Sequence, residues 1–381
     1  MKIYRVGLLG FGFIGKVHAY GHRNLPLFYD PLPFRSEITK VCTAHAETAA
    51  HAVEQLGGGV QGVTDYREIT EDPSIDIVDV CTPNEDHVPA VLSAIAHGKH
   101  VFCEKPLAGN WEQALQVAAA LPSYHGISQM TLIYRFYPPM MHAIELARDG
   151  FLGEVLEFRA HFLHSGSVNP NAPMSFKLAA GTVADLGSHI LDLTEAVTGP
   201  FAAIQARTHI AYPSRPKAGG APGERVPVTA EDNMNCLVTL PKGAVGTVSA
   251  SKIALGTEDG VYLEVHGTKG ALRLEPMNLQ QLFLYDGHAP DGPYGGRRGW
   301  TAVDCGQRYP KPAGFPTPKA VLGWLRGHVH CLYNFLNGVH TNTPVHPDLS
   351  DGVHVQRLME AVYASARSGG ADIALEDRFR P

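Results

Sequence analysis

The stretch Val6-Gly7-Leu8-Leu9-Gly10-Phe11-Gly12-Phe13-Ile14-Gly15 constrains this chain more than any other. A short apolar run passes without a break into glycines spaced GxGxxG, and a helical pattern follows through His22. Glycine permits the tight turn and lets backbone N–H groups approach a pyrophosphate at a helix N-terminus. Gly10, Gly12, Phe13, Ile14 and Gly15 are therefore the first candidate dinucleotide contacts. The motif carries weight only inside a βαβ unit.

The next hundred residues supply one. Ile38–Cys42, Ile75–Cys81 and His100–Cys103 read as short buried strands. Glu47–Leu56, His87–Ala96 and Trp111–Ala120 read as helices, with Gly57 and Gly98 closing the first two. Strands alternating with short helices predict a parallel sheet, right-handed connections and a ligand crevice beyond the carboxyl ends of the strands.

Past about Gly126 the period changes. A helix is expected over Pro138–Gly150 and another over Leu186–Val197. Val155–Phe162, Ala203–Ile210, Asn233–Leu240, Ala244–Ile253, Val261–Val265 and Ala271–Leu274 alternate apolar and polar residues, as in an antiparallel sheet covered on one face. Two helices, Ala320–Leu336 and Leu349–Arg367, close the chain. Pro213–Pro227 and Gly287–Pro318 are rich in glycine and proline, and the second is unusually long for a structureless loop. A chain of 381 residues favours two domains. The expected division is 1–128, dinucleotide-binding, and 129–381, substrate-binding and oligomerising.

Composition serves to exclude. The net charge is −6 and no run of five like charges occurs, which argues against nucleic-acid and anionic-membrane partners. No apolar run approaches the roughly 18 residues of a membrane helix. The N-terminal apolar stretch is threaded with glycines and lacks a small-residue cleavage site, so it reads as a strand, not a leader. Six cysteines without framework spacing fit a reducing cytoplasm. The pairs His161/His164 and His328/His330 have no metal-ligand spacing; they read as ordinary residues and no metal is expected.

Four places carry candidate chemistry. At the end of the second strand, where an acid ordinarily meets the adenine ribose, stand Thr43, Ala44 and His45, with no arginine for a 2′-phosphate. NAD and NADP both remain open, NAD being the preferred of the two. Thr82-Pro83-Asn84 follow the third strand, either beneath a nicotinamide or as a plain strand-to-helix turn. Glu104-Lys105-Pro106 end the fourth, which points Lys105 toward the crevice. Pro106 favours an extended Lys105, and Glu104 could hold the ammonium or a coenzyme ribose. A partly desolvated lysine can exchange a proton near neutral pH; a surface ion pair is the competing reading. Finally, GTVADLGSHILD sets Asp185, His189 and Asp192 on one helix face, and an acid beside an imidazole suits general acid–base work.

With GFGFIG followed by His18, TDYREITEDPSIDIVDVCTPNEDHVPAVLSAIAHGKHVFCEKPLAGN, Tyr134-Arg135-Phe136-Tyr137-Pro138 and GTVADLGSHILDL in order, the chain resembles the Gfo/Idh/MocA family of sugar and cyclitol oxidoreductases. The resemblance covers most of its length. It implies an α/β N-terminal Rossmann domain plus an α+β C-terminal domain with a large, mostly antiparallel open sheet, assembled as a homodimer or homotetramer. It implies that Lys105 contacts both the nicotinamide ribose and the reacting hydroxyl, and that Asp185 and His189 are the catalytic acid and histidine. Thr82, Pro83, Asn84 and His87 match the family's loop under the coenzyme. Three departures stand out: Thr43, the pair Ala179-Ala180 in place of glycines, and the long connection NLPLFYDPLPFRSE before Ile38. The expected activity is hydride transfer between a secondary hydroxyl of a sugar, sugar derivative or cyclitol and nicotinamide. Lys105, Asp185 and His189 would be catalytic, with Arg135, Lys177 and the Gly287–Pro318 loop reading further hydroxyls. The rival expectation is a glycosidase or lyase that keeps NAD bound and uses transient redox and elimination.

Overall fold

The computed structural model describes residues 1–175, 180–275 and 278–375. Lys177 and Ala179 lie outside the described residues. The chain divides into two compact units: Met1–Tyr137 with Gln307–Gln356, and Pro138–Gly306 with the segment that starts at Arg357.

Six strands form the sheet of the first unit: β1 (Lys2–Leu9), β2 (Phe34–Cys42), β3 (Gln61–Val63), β4 (Ile77–Val80), β5 (His100–Cys103) and β6 (Ser128–Met130). Their order is β3-β2-β1-β4-β5-β6 and every pairing is parallel. This is the doubly wound sheet expected from the alternation. β3 and β6 have three residues each, too short to show as apolar runs. The strand order reverses between β1 and β4, so the ends of β1, β4 and β5 border the crevice where ligands of such sheets bind. Asn110 caps the helix Trp111–Ala120 by accepting from the Gln113 N–H, which ends the turn that follows Lys105.

The helix Trp324–Thr341 belongs to this unit. Its Val329, Leu332, Phe335 and Leu336 pack with Tyr4 and Val6 of β1, Ile77 of β4 and Phe102 of β5. Each such side chain contributes about 1.5–3 kcal/mol when fully buried. Part of this core is thereby supplied by residues that lie far away along the chain.

The second unit is built on nine strands: β7 (Val155–Leu163), β8 (Ala203–His209), β11 (Asn233–Thr239), β12 (Val245–Ser251), β13 (Gly260–Gly267), β14 (Gly270–Leu274), β15 (Gln281–Asp286), β16 (Trp300–Asp304) and β17 (Ile373–Ala374). A separate hairpin pairs β9 (Ser214–Pro216) with β10 (Arg225–Pro227). The large sheet runs β16-β15-β14-β13-β7-β12-β11-β8-β17, antiparallel throughout except between β7 and β12. Alternate residues are buried as expected, for instance Met234, Cys236 and Val238 on β11. The helix Ser188–Thr198, buried along most of its length, packs against β7, β12 and β13. Gly287–Pro318 is not structureless: β16 pairs with β15, and Trp300 lies edge-on to Tyr285 at 5.8 Å with the Arg273 guanidinium 4.7 Å above it. Among the described residues, no helix is long and apolar enough to cross a membrane.

Candidate active site

The glycine turn has the shape a pyrophosphate needs. Gly10 ends β1 with φ +89°, and a Cβ there would meet the Cys81 carbonyl oxygen at 2.5 Å. A Cβ on Gly15 would meet the Gly10 carbonyl oxygen at 2.2 Å, so only hydrogen fits where helix and strand close on each other. Gly12, by contrast, has nothing within 4 Å of its missing Cβ and stands at the N-cap of the helix Phe13–Phe28 without a side-chain cap. The turn is closed at its first and last glycines and open at the middle one, which fits an anion approaching the helix N-terminus. Phe13 is exposed beside this opening and Ile14 is half-buried. Thr43 directly follows β2, and its hydroxyl bonds locally, to the His45 carbonyl at 3.0 Å and Thr48 Oγ1 at 2.7 Å.

Behind Lys105 stands a buried chain of charges. Asp79 lies in the middle of β4 with no exposed surface, where an ionised carboxylate requires partners. His18 and His22, one turn apart on the first helix, supply them: His18 Nδ1 lies 2.7 Å from Asp79 Oδ1 and His22 Nε2 3.1 Å from Oδ2. His18 uses its other nitrogen on Glu104, with Nε2 3.1 Å from Oε1. Glu104 Oε2 in turn accepts from the Lys105 backbone N–H at 3.1 Å. Burial opposes a charge on His18, but Asp79 and neighbouring Cys81 outweigh it and hold the imidazole protonated well above its ordinary pKa. Burial likewise pushes the Glu104 carboxyl up, yet the hydrogen bond and charge of His18, with the charge of Lys105, bring it down to about 2. Asp79 is held well below the carboxylate range by the same two histidines against its own burial. The outcome is an imidazolium clamped between two carboxylates, one of which fixes the backbone of Lys105.

Lys105 itself is half-buried at the end of β5, and its bond to Pro106 is cis. The loop under it is tied to the loop after β4 by His87, whose Nε2 faces the Thr82 carbonyl at 2.8 Å and whose Nδ1 faces that of Pro106 at 2.9 Å. Burial keeps this ring neutral, so it donates to one of the two carbonyls at a time. Pro83 and Asn84 continue the same loop into a short 3-10 turn. The candidates Gly10, Gly12, Gly15, Thr82, His87, Glu104 and Lys105 thus gather along the ends of β1, β4 and β5.

In the second unit the segment Val183–Gly187 forms a π-helical turn that leads into the helix Ser188–Thr198. Such turns recur at functional sites. Asp185 sits on it, a quarter exposed, and its Oδ2 lies 3.0 Å from Nζ of Lys252, a buried residue just after β12. The same ammonium donates to the Gly181 carbonyl at 3.0 Å. Glu231 Oε1 accepts from the Val183 N–H at 2.8 Å and from the Tyr363 hydroxyl at 3.3 Å. Gly181, at φ +76°, leaves 2.5 Å between a notional Cβ and that oxygen, so the turn is moulded against Glu231. His189 lies one turn beyond Asp185, buried, with its ring 6.3 Å from Phe162 of β7. Asp192 is buried further along this helix. Arg135 is half-buried in the 3-10 turn Ile133–Phe136 of the first unit.

Three residues that build these centres, Asp79, Lys252 and Glu231, are not among the sequence candidates. Asp79 offered one signal, an acid inside the otherwise apolar IVDV of a central strand. Lys252 and Glu231 offered none, because nothing in their spacing ties them to Asp185.

Comparison with known proteins places the chain. The family described as "Oxidoreductase family, NAD-binding Rossmann fold" matches residues 4–131, and the "GFO/IDH/MocA C-terminal domain" matches residues 140–273. A levoglucosan dehydrogenase of Pseudarthrobacter phenanthrenivorans is 29% identical over 382 aligned positions, spanning 96% of this chain and 97% of the relative. Among solved structures, levoglucosan dehydrogenase in complex with NADH and levoglucosan superposes with a TM-score of 0.91 at 28% identity, covering 98% of this chain and all (100%) of that one. An oxidoreductase domain protein from Kribbella flavida gives a TM-score of 0.91 at 31% identity, covering 99% and 100%.

Proposed function

The chain belongs to the Gfo/Idh/MocA family of oxidoreductases, and from that premise we propose that it moves a hydride between a secondary hydroxyl of a sugar, sugar derivative or cyclitol and a nicotinamide coenzyme. One observation carries the reading: the backbone of the lysine at the end of β5 is tied to a buried chain of ionised groups. A cation carried at that place suits a reaction that develops negative charge on oxygen.

The bound coenzyme supplies the hydride acceptor at its nicotinamide ring. Lys105 positions the substrate hydroxyl and stabilises the developing alkoxide. His189 takes the hydroxyl proton, directly or by relay through Lys105. Asp185, kept in place by Lys252, orients the imidazole or the substrate. Gly10, Gly12, Phe13, Ile14 and Gly15 cradle the pyrophosphate, while Thr82, Pro83, Asn84, His87 and Glu104 support the nicotinamide half. Arg135 and Lys177 read further hydroxyls.

NAD is the coenzyme we assign over NADP. Thr43-Ala44-His45 brings no arginine to meet a 2′-phosphate, and the Thr43 hydroxyl can share a ribose without repelling it. The full-length likeness to a levoglucosan dehydrogenase makes a closed-ring sugar such as levoglucosan the first substrate to try.

The test follows nicotinamide absorbance while the purified protein meets NAD or NADP with levoglucosan, aldoses and cyclitols. Net reduction with NAD, lost in Lys105→Ala, is the expected result. Glycoside cleavage without net coenzyme turnover would move the assignment to the redox-cycling lyase, and turnover undiminished in Lys105→Ala would sink the site.

A further inference from the structure

His328 lies in the second turn of the helix Trp324–Thr341, within the Rossmann unit, and is 6% exposed. Neither of its ring nitrogens has a hydrogen-bond partner among the described residues. His18, by contrast, uses both nitrogens on carboxylates. A buried imidazole with neither nitrogen bonded is costly, and native interiors rarely leave one so. Its surroundings say what would bond it. The ring packs against Trp324 at 4.3 Å and lies 6.4 Å from the ring of His18, and a nitrogen of it comes within 4.8 Å of ligand-type atoms of both His18 and Glu104. Trp324 itself meets Phe13 of the glycine turn at 5.8 Å.

His328 therefore stands between the turn at the end of β1 and Glu104 at the end of β5. That is the β4–β5 side of the point where the strand order reverses, and dinucleotides laid across such a sheet place their nicotinamide half there. Burial, with smaller contributions from the charges of His18 and Lys105, pushes the ring's pKa down to about 3 against the pull of Glu104. The ring is thus neutral, with one N–H and one lone pair. A primary amide offers the complementary carbonyl and N–H groups, and an uncharged partner does not repel a cationic pyridinium.

We propose that His328 is a coenzyme-contact residue whose ring nitrogens hydrogen-bond the carboxamide of the nicotinamide. The assignment rests on the reading that the coenzyme is a nicotinamide dinucleotide, and it gives a function to a histidine whose sequence context reads as ordinary.

The experiment compares wild type with His328→Leu and His328→Asn in two ways: thermal unfolding of the ligand-free protein, and NADH binding by energy transfer from protein tryptophan to the coenzyme. Ligand-free His328→Leu should be at least as stable as wild type, because an unsatisfied polar group has been replaced by an apolar one. Its NADH affinity should fall about tenfold, and His328→Asn, which keeps an amide donor and acceptor, should recover part of the loss. Unchanged NADH affinity in both variants overturns the contact. So does stoichiometric zinc in the purified wild type whose removal by chelation lowers its melting temperature, since His328 would then be a metal ligand with His18 and Glu104. Wild type that binds neither NADH nor NADPH overturns the function proposed above together with the contact, whereas wild-type binding retained by His328→Leu overturns the contact alone.

Discussion

The two acidic centres of this protein are held by opposite means. In the Rossmann unit, Asp79 and Glu104 are nearly or fully buried and share one imidazolium, so each carboxylate lies far below its ordinary pKa. In the second unit Asp185 stays partly open to solvent beside the Lys252 ammonium, on a turn also supported by Glu231, whose carboxyl is pushed up by burial. The difference teaches a division of labour. The first centre is sealed scaffold that fixes the backbone of Lys105, with both carboxylates ionised at neutral pH. The second centre, proposed above to meet substrate, leaves its carboxylate partly open to solvent.

Removing the lysine that the first centre aims should have the largest effect. Lys105→Ala should lower kcat by about a hundred- to a thousandfold, the cost of losing a positioned charge-stabilising donor, with the fold retained by circular dichroism. Asp79→Asn attacks the scaffold itself. It leaves His18 buried with a weakened partner, and breaking such a pair costs about 3–5 kcal/mol of stability, measurable as a drop in the urea midpoint. Lys252→Met should break the symmetry: about a hundredfold in kcat from a misplaced Asp185, with NADH affinity unchanged. If Lys252→Met lost coenzyme binding as severely as Asp79→Asn, the two centres would not be separable.

Acid titration sharpens the contrast. A group whose folded pKa lies below its unfolded value adds stability above the unfolded value and loses it as pH falls toward the folded one. Glu104, at about 2 in the fold, therefore supports stability in full above about pH 5 and releases about 3 kcal/mol between there and pH 2. His18 works in the other direction: its raised pKa adds stability that is complete below about pH 6.5 and declines as pH rises from there through the folded value. His18→Gln should remove the loss above about pH 6.5 and shift the acid transition upward, since Glu104 would then be buried without its main partner. A urea midpoint in this variant with the wild-type pH dependence would show that the imidazolium does not hold Glu104.

How much of this was legible in the chain follows from the range of each interaction. The glycine turn could be read because most of its requirement is local: Gly15 abuts the Gly10 backbone, and Gly10 takes a positive φ, although what Gly10 abuts is the distant Cys81 carbonyl. Lys105 could be placed because a strand end and a proline are local too. The strands β3 and β6 were invisible at three residues each, and β15 and β16 were masked by flanking glycines and prolines despite their aromatic pairing. The supporting residues were out of reach for a different reason. His18 and Asp79 are 61 positions apart, and their partnership exists only once β1 and β4 have paired in parallel. Lys252 meets Asp185 only after β12 has been laid beside β7. Sequence spacing names the candidate site groups; topology names the groups packed behind them.

The smallest expected effect is also the most discriminating between the two centres. Glu231 has a folded pKa raised by burial, so its ionisation works against the fold, the reverse of Glu104. Its stabilising contribution is complete below the ordinary glutamate value and declines as pH rises through the folded one. Glu231→Gln keeps an oxygen to accept from the Val183 N–H and the Tyr363 hydroxyl while removing the buried charge. The variant should thus be slightly more stable than wild type at neutral pH and indistinguishable from it at pH 4, whereas Glu104→Gln should be clearly less stable at neutral pH. Urea midpoints for both variants across that range decide the matter. If Glu231→Gln instead lost stability at neutral pH, the carboxylate would be a charged anchor for the Asp185 turn through Lys252, and the second centre would be built on the same principle as the first.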